Sequence, residues 1–137
     1  MQKTTFLKAL LVSLFCCLTL LTGQAFANEG KGGGEGGGLT APLEPFTVNL
    51  SSFDRYLQVS ITLQLAHAEV GEKIKTYMPV IRHSMIMLLS GKESAQIQTA
   101  DGKHELMDEI KERVNKVLEL KESEGITDVY FVNFVIQ

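Results

Sequence analysis

Between Arg55 and His67 the chain alternates without an error for ten residues. Leu57, Val59, Ile61, Leu63 and Leu65 hold the odd positions, and Tyr56, Gln58, Ser60, Thr62 and Gln64 the even ones. Successive side chains of a β-strand point to opposite faces, so this segment lays one face on a core and turns a polar face outward. A helix would scatter the same five apolar residues around its circumference, because its period is 3.6 rather than 2. Just upstream, Phe46, Val48 and Leu50 alternate with Thr47 and Asn49, and Ser51, Ser52, Phe53 and Asp54 supply a turn. An antiparallel hairpin is expected.

From Glu69 the period becomes helical. A short first stretch, residues 69–78, meets Pro79, which lacks an amide hydrogen and clashes one turn back. Pro79 is therefore expected to begin a second helix rather than to sit within one. Met78, Ile81, Met85, Leu88 and Leu89 form an apolar stripe that ends near Ser90 and Gly91. Residues 99–102 mark a turn, with Asp101 placed to cap the helix that follows. Leu106, Ile110, Val114 and Leu118 then recur at four-residue steps among Asp108, Glu109, Lys111, Glu112, Arg113 and Lys116. This spacing predicts an amphipathic surface helix to about Lys121, released at Gly125.

Residues 129–137 (VYFVNFVIQ) close the chain as a strand in which Tyr130, Val132, Phe134 and Ile136 share one face. The other face, Val129, Phe131, Asn133 and Val135, is nearly as apolar. A strand apolar on both sides must be covered on both sides. Either three helices do this within the chain, or one face is buried against another copy or a partner. The expected architecture is a small single α+β domain over residues 45–137, an antiparallel hairpin and a C-terminal strand packed with about three helices.

Upstream of the domain the chain carries an address. Lys3 and Lys8 form a basic start, residues 9–22 (ALLVSLFCCLTLLT) an apolar stretch, and Ala25-Phe26-Ala27 a peptidase-compatible stop. As a helix, residues 9–22 span about 21 Å, and residues 9–27 about 28 Å, against a hydrocarbon core of about 30 Å. Residues 1–27 thus read as a signal peptide or an uncleaved signal anchor. Both readings carry everything after Ala27 across the membrane, which puts the domain on the periplasmic side. Residues 28–44 form a linker with seven glycines between Gly30 and Gly38. Fifteen residues of such chain have an r.m.s. span of about 20–23 Å.

Several chemistries are argued against by the same residues. Cys16 and Cys17 both lie in the leader, so the remainder offers no disulfide or thiolate. Phe15 precedes Cys16, which does not suit lipoprotein acylation. Beyond residue 27 there are 11 basic and 16 acidic residues, a net of −5, and nucleic acid binding needs the opposite balance. His67, His83 and His104 stand at no ligand-like spacing. His104 beside Glu105, with Asp101 and Asp108 near, reads as a solvated residue of a first helical turn. The glycine run has no preceding strand and no Gly-Lys-Ser/Thr ending, so it is not a phosphate loop. Met85 and Met87 suggest an adaptable groove, but helical spacing alone accounts for the stripe as core. No catalytic residue, metal or cofactor is assigned.

The run PVIRHSMIMLLSGK (residues 79–92), followed by Ile97, Asp101-Gly102, LMDEIKERVNKVL (residues 106–118) and the closing VYFVNFVIQ, resembles the FliL family of flagellar basal body-associated proteins. The resemblance covers about residues 45–137. It implies a domain similar to that of the stomatin and prohibitin proteins. It further implies a periplasmic, noncatalytic accessory role at the flagellar basal body. There the domain would form ring-like homo-oligomers around stator units, near their plug and linker segments, in support of torque, swimming, swarming and chemotaxis.

On that reading the partners are stator proteins, other copies of the chain and, if the leader stays uncleaved, the inner membrane. The contact surface is expected on the helix of residues 79–90, with Arg82, His83 and Met85, and on the second face of the closing strand, with Phe131, Asn133 and Val135. Relatives usually keep an uncleaved transmembrane helix behind a cytoplasmic tail, whereas here the segment before the apolar stretch is only residues 1–8. His83 stands where an acidic residue is common. The alternative from another class is a soluble periplasmic binding module not attached to a motor.

Overall fold

The computed structural model describes residues 39–137 with the exception of Phe53. The leader expected at residues 1–27 and the glycine-rich segment to residue 38 lie outside the described residues. In chain order the elements are β1 (Thr40–Pro42), β2 (Phe46–Asn49), β3 (Tyr56–Leu65), α1 (Ala68–Ser90), α2 (Ser94–Gln98), α3 (Ala100–Leu118) and β4 (Ile126–Ile136). The small α+β domain with an antiparallel sheet and three helices is the one expected. Its boundaries and helix divisions are not.

β3 is the centre of the sheet. β1 and β2 run antiparallel along one flank, pairing Thr40 with Gln64 and Phe46 with Val59. β4 runs antiparallel along the other, from Ile126 opposite Leu65 to Ile136 opposite Leu57. Leu57, Val59, Ile61 and Leu63 are at most 1% exposed, which is what strict alternation demands of a one-sided central strand. The three helices cover that face. α1 lies against β2 and β3, while α3 packs on α1 and β4.

Three expectations are corrected. Thr40–Pro42 was expected within a linker ending at residue 44, but it pairs with β3, and the Leu65 N–H donates to the Leu39 carbonyl at 2.8 Å. A three-residue strand containing proline has no period to detect. Pro79 does not begin a helix but lies inside the continuous α1. Its ring is on the exposed side, and Lys75, whose carbonyl loses its usual amide donor to the proline, is an exposed residue too. Val70 and Ile74 before it and Ile81, Met85, Leu88 and Leu89 after it are buried on one side. Burial of six side chains, at about 1.5–3 kcal/mol each, outweighs an interruption of about 3 kcal/mol. Asp101 is not the cap of α3: Thr99 is, its hydroxyl accepting from the Gly102 N–H at 3.0 Å. α3 ends at Leu118, where Glu119 turns the chain at φ 54°.

The fourth correction concerns β4. Its register against β3 slips twice, so that Thr127 and Val132 are bulged out and oppose no residue of β3. Phe131 therefore stands opposite Ile61, Phe134 opposite Val59 and Ile136 opposite Leu57. Directly opposed residues share a face, so Ile126, Val129, Phe131, Phe134 and Ile136 all turn inward despite their uneven spacing. Tyr130, Val132, Asn133 and Val135 are left on the outer side. The two faces are thus less alike than simple alternation implied.

Two side-chain clamps lock the helices to the sheet. Asn115, the single buried polar side chain among the described residues, accepts from the Ile126 N–H at 2.7 Å and donates to the Ile126 carbonyl at 2.9 Å. Lys92, at the end of α1, donates to both carboxylate oxygens of Glu109 on α3 at 2.6 Å. Gly102 has to be glycine at the α2–α3 junction, since a β-carbon there would overlap the Gln96 carbonyl oxygen. Among the described residues no helix is long and apolar enough to cross a membrane.

Candidate interaction surface

Helix α1 changes character along its length. Its first two turns expose Glu69, Glu72, Lys73 and Lys75, the ordinary wet side of a surface helix. From Thr76 to the end of the helix the charged residues are Arg82 and, when protonated, His83. Over this stretch the side turned from the sheet carries Tyr77, Val80, Ile86 and Met87, each 42–60% exposed. Apolar residues exposed together on one side of a helix stretch poor in charge make this side a candidate contact surface.

The residues expected at the contact do not all stand there. Arg82 is turned into its own domain. Its Nη1 donates to the Glu44 carbonyl at 3.3 Å and lies 3.5 Å from the Glu44 carboxylate, and its guanidinium carbon sits 4.7 Å from the Phe46 ring centroid. It pins the Leu43–Pro45 link between β1 and β2 instead of facing a partner. Met85 is 0% exposed and belongs to the core, because it shares the stripe of Ile81 and Leu88. His83 is exposed and lies amid the apolar side of α1.

On β4 the bulge at Val132 separates the other three. Asn133 is exposed and Val135 half-buried on the outer side of the sheet, whereas Phe131 turns inward, its ring centroid 5.0 Å from that of Phe134. Sequence reasoning passed over Tyr77, Val80, Ile86 and Met87 by following the buried stripe. The signal that marks them is the lack of charge opposite that stripe.

Elsewhere the polar groups answer one another. A concavity of about 670 Å³ beside α3 is lined by Asp108, Lys111, Glu112, Asn115, Lys116, Leu120 and Glu122. Lys111 reaches Glu122 at 2.9 Å and Asp108 at 3.4 Å. The hydrogen bond to Glu122, with a smaller one to Asp108, raises the Lys111 pKa above the ordinary lysine value against partial desolvation, which lowers it. Tyr130 is also raised, by desolvation first and then by the Asp128 carboxylate. Neither arrangement offers a nucleophile beside a base, or a group poised to titrate near neutrality. Among the described residues no three His, Asp or Glu side chains converge as metal ligands.

Among the described residues the candidate surface is the exposed apolar side of α1, with Tyr77, Val80, Ile86 and Met87. Residues 40–137 match the family model described as "Flagellar basal body-associated protein FliL". The flagellar protein FliL of Aquifex aeolicus is 38% identical over 95 residues, covering 68% of this chain and 57% of that protein. That of Escherichia coli K12 is 32% identical over 96 residues, covering 69% of this chain and 62% of that protein. The matched region is thus about three fifths of the length of these relatives. The family model's span, residues 40–137, takes in every strand and helix described above, and on it the chain belongs to the FliL family of flagellar basal body-associated proteins.

Proposed function

We propose that this chain is a noncatalytic accessory protein of the flagellar motor. Its domain assembles into a ring-like homo-oligomer around stator units on the periplasmic face of the inner membrane and supports torque. The observation that carries the reading is the family match over the whole folded domain. The side of α1 that carries Tyr77, Val80, His83, Ile86 and Met87 supports it by supplying an exposed apolar strip for association. Asn133 and Val135, on the opposite side of the sheet, are proposed as secondary contacts. The arrangement of helices on one face of the sheet is proposed to be stomatin/prohibitin-like. The leader at 1–27 acts as a signal peptide or an anchor, with the glycine-rich segment as its tether.

Deleting the gene should reduce swimming and swarming while filaments remain. Replacing Val80 and Met87 together by Lys should reproduce the defect with the folded domain intact, and the wild-type protein should co-sediment with basal bodies. Normal motility in the deletion strain would sink the proposal. A monomeric protein found only in the soluble periplasmic fraction would favour an unattached binding module instead.

A further inference from the structure

The outer flank of β4 is an open strand edge, and the hydrogen-bond parity of the sheet says which groups it presents. In an antiparallel ladder a residue's N–H and C=O point to the same flank, and alternate residues point to opposite flanks. On β3 the even positions turn toward β4: Tyr56 exchanges two bonds with Gln137, at 2.8 and 3.0 Å. The odd positions turn the other way, Ile61 and Leu65 bonding Leu43 and Leu39. Carried through the register, Asp128, Tyr130, Asn133 and Val135 face β3, and Val129, Phe131, Phe134 and Ile136 face outward along the free flank.

One end of that flank is closed by the chain itself. Asn115 holds both backbone groups of Ile126, and the Asp128 carboxylate accepts from the Val129 N–H at 2.8 Å. Among the described residues the outward groups of Phe131, Phe134 and Ile136 have no such partner. Their side chains point into the core yet are only half-buried, while the residues opposite them on β3 are at most 1% exposed. Along this stretch the core is less completely covered than at β3, although all three side chains pack against it. β4 also lacks the lysines and prolines that usually blunt an edge, carrying only Asp128 and its bulges.

Beside this open stretch lies a cleft of about 610 Å³, lined by residues from the α2 end, the first turns of α3 and β4. Met107 and Phe131 contribute apolar surface, and Lys103 and His104 basic groups. No carboxylate lines it, in a chain with 16 acidic and 13 basic residues. The Lys103 ammonium sits 5.3 Å from the Phe134 ring centroid and donates to the Gln98 carbonyl at 3.1 Å, which leaves two of its three donors for another group.

We propose that this flank accepts an extended segment of a partner protein as a fifth strand. Its backbone pairs with Phe131, Phe134 and Ile136, an apolar side chain enters the cleft over Met107, and an acidic side chain meets Lys103 and His104. A row of outward backbone donors and acceptors, carried by Phe131 and, past the bulge at Val132, by Phe134 and Ile136, is matched by another extended backbone and by no lipid or nucleotide. A second copy of this chain fits poorly. β4 against β4 would bring two Lys103–His104 pairs together, and the β1–β2 flank is cut into strands of three and four residues beside Pro42 and Pro45. The site is separate from the apolar side of α1 and does not depend on the ring reading.

The test uses the full chain in its own host, with a photo-crosslinking residue at Gln98 or Val132 and, as a control, at Val80. Crosslinks from Gln98 and Val132 should map by mass spectrometry to one segment of a different protein, holding an Asp or Glu close to the linked residue and no proline across it. Lys103→Glu with His104→Glu should lower that yield about fivefold, the worth of roughly 1 kcal/mol of charge pairing. The milder pair Lys103→Gln and His104→Gln should lower it less, and crosslinks from Val80 and the melting temperature should stay unchanged in both. Crosslinks only to copies of this chain, only to lipid or to none, or a yield indifferent to charge reversal, would overturn the proposal.

Discussion

Replacing Asn115 by Ala is expected to lower the stability of the domain by about 3 kcal/mol. The side chain is 6% exposed and makes two bonds to one residue, Ile126, whose N–H and C=O lie at 2.7 and 2.9 Å from it. These groups point away from β3, so nothing in the sheet replaces a lost partner. Each backbone group left unsatisfied costs about 1–3 kcal/mol, and water entering from the exposed Glu119–Glu124 turn recovers part of the upper sum. For a domain of about 100 residues, 3 kcal/mol corresponds to a fall in Tm of about 12–24 °C. Urea unfolding followed by circular dichroism should show a lower midpoint at unchanged slope. Amide exchange at Ile126 should accelerate by more than the global loss explains.

The neighbouring glycine supplies an internal check. A β-carbon on Gly125 would overlap Asn115 Oδ1, so Gly125→Ala destabilises the wild type partly through Asn115. In the Asn115→Ala background that overlap is gone, and the double variant should be more stable than additivity predicts by about 1 kcal/mol. A cost below about 1 kcal/mol for Asn115→Ala, or strict additivity of the pair, would refute the clamp.

Met85→Ala should cost about 2–5 kcal/mol in urea unfolding as a fully buried side chain, whereas Met87→Ala on the exposed side of the same helix should cost under about 0.5 kcal/mol; comparable losses would contradict the placement of the stripe. At alkaline pH, Lys111 and Tyr130 both hold their protons more tightly in the fold than in the unfolded chain. The stability they contribute is present below the ordinary values of 10.5 and 10.0 and is lost as pH rises through the raised folded ones. Urea midpoints should therefore fall above about pH 10, and Lys111→Met should flatten the decline; an alkaline limb unchanged in that variant would remove the ion pair as its source.

Much of the domain could be read from local periods. The alternation over residues 56–65 fixes a one-sided central strand, and the four-residue steps of Leu106, Ile110, Val114 and Leu118 give α3, because both patterns are complete within their own segments. The closing strand was recognised as a strand, but its faces were not. Which of its residues turn inward depends on bulges at Thr127 and Val132, and these are set by the fit of β4 against β3, about 70 residues upstream in sequence. Pro79 misled for a similar reason: its local cost is legible, and the apolar side chains buried on both sides of it are not.

The candidate surface divided along the same line. His83 and Asn133 are exposed, while Met85 and Phe131 serve the core and Arg82 the β1–β2 link. Tyr77, Val80, Ile86 and Met87 emerged once one side of α1 was known to be covered. By itself the sequence determined element types, the one-sidedness of β3 and the family resemblance, since periodicity and motif order are properties of contiguous residues. The tertiary structure alone decided the register of β4, the burial of Met85, the closure of Ile126 by Asn115 and the open flank at Phe131, Phe134 and Ile136. Each of these is a relation between residues far apart in the chain, and hydrogen-bond parity and burial exist only once those residues have met.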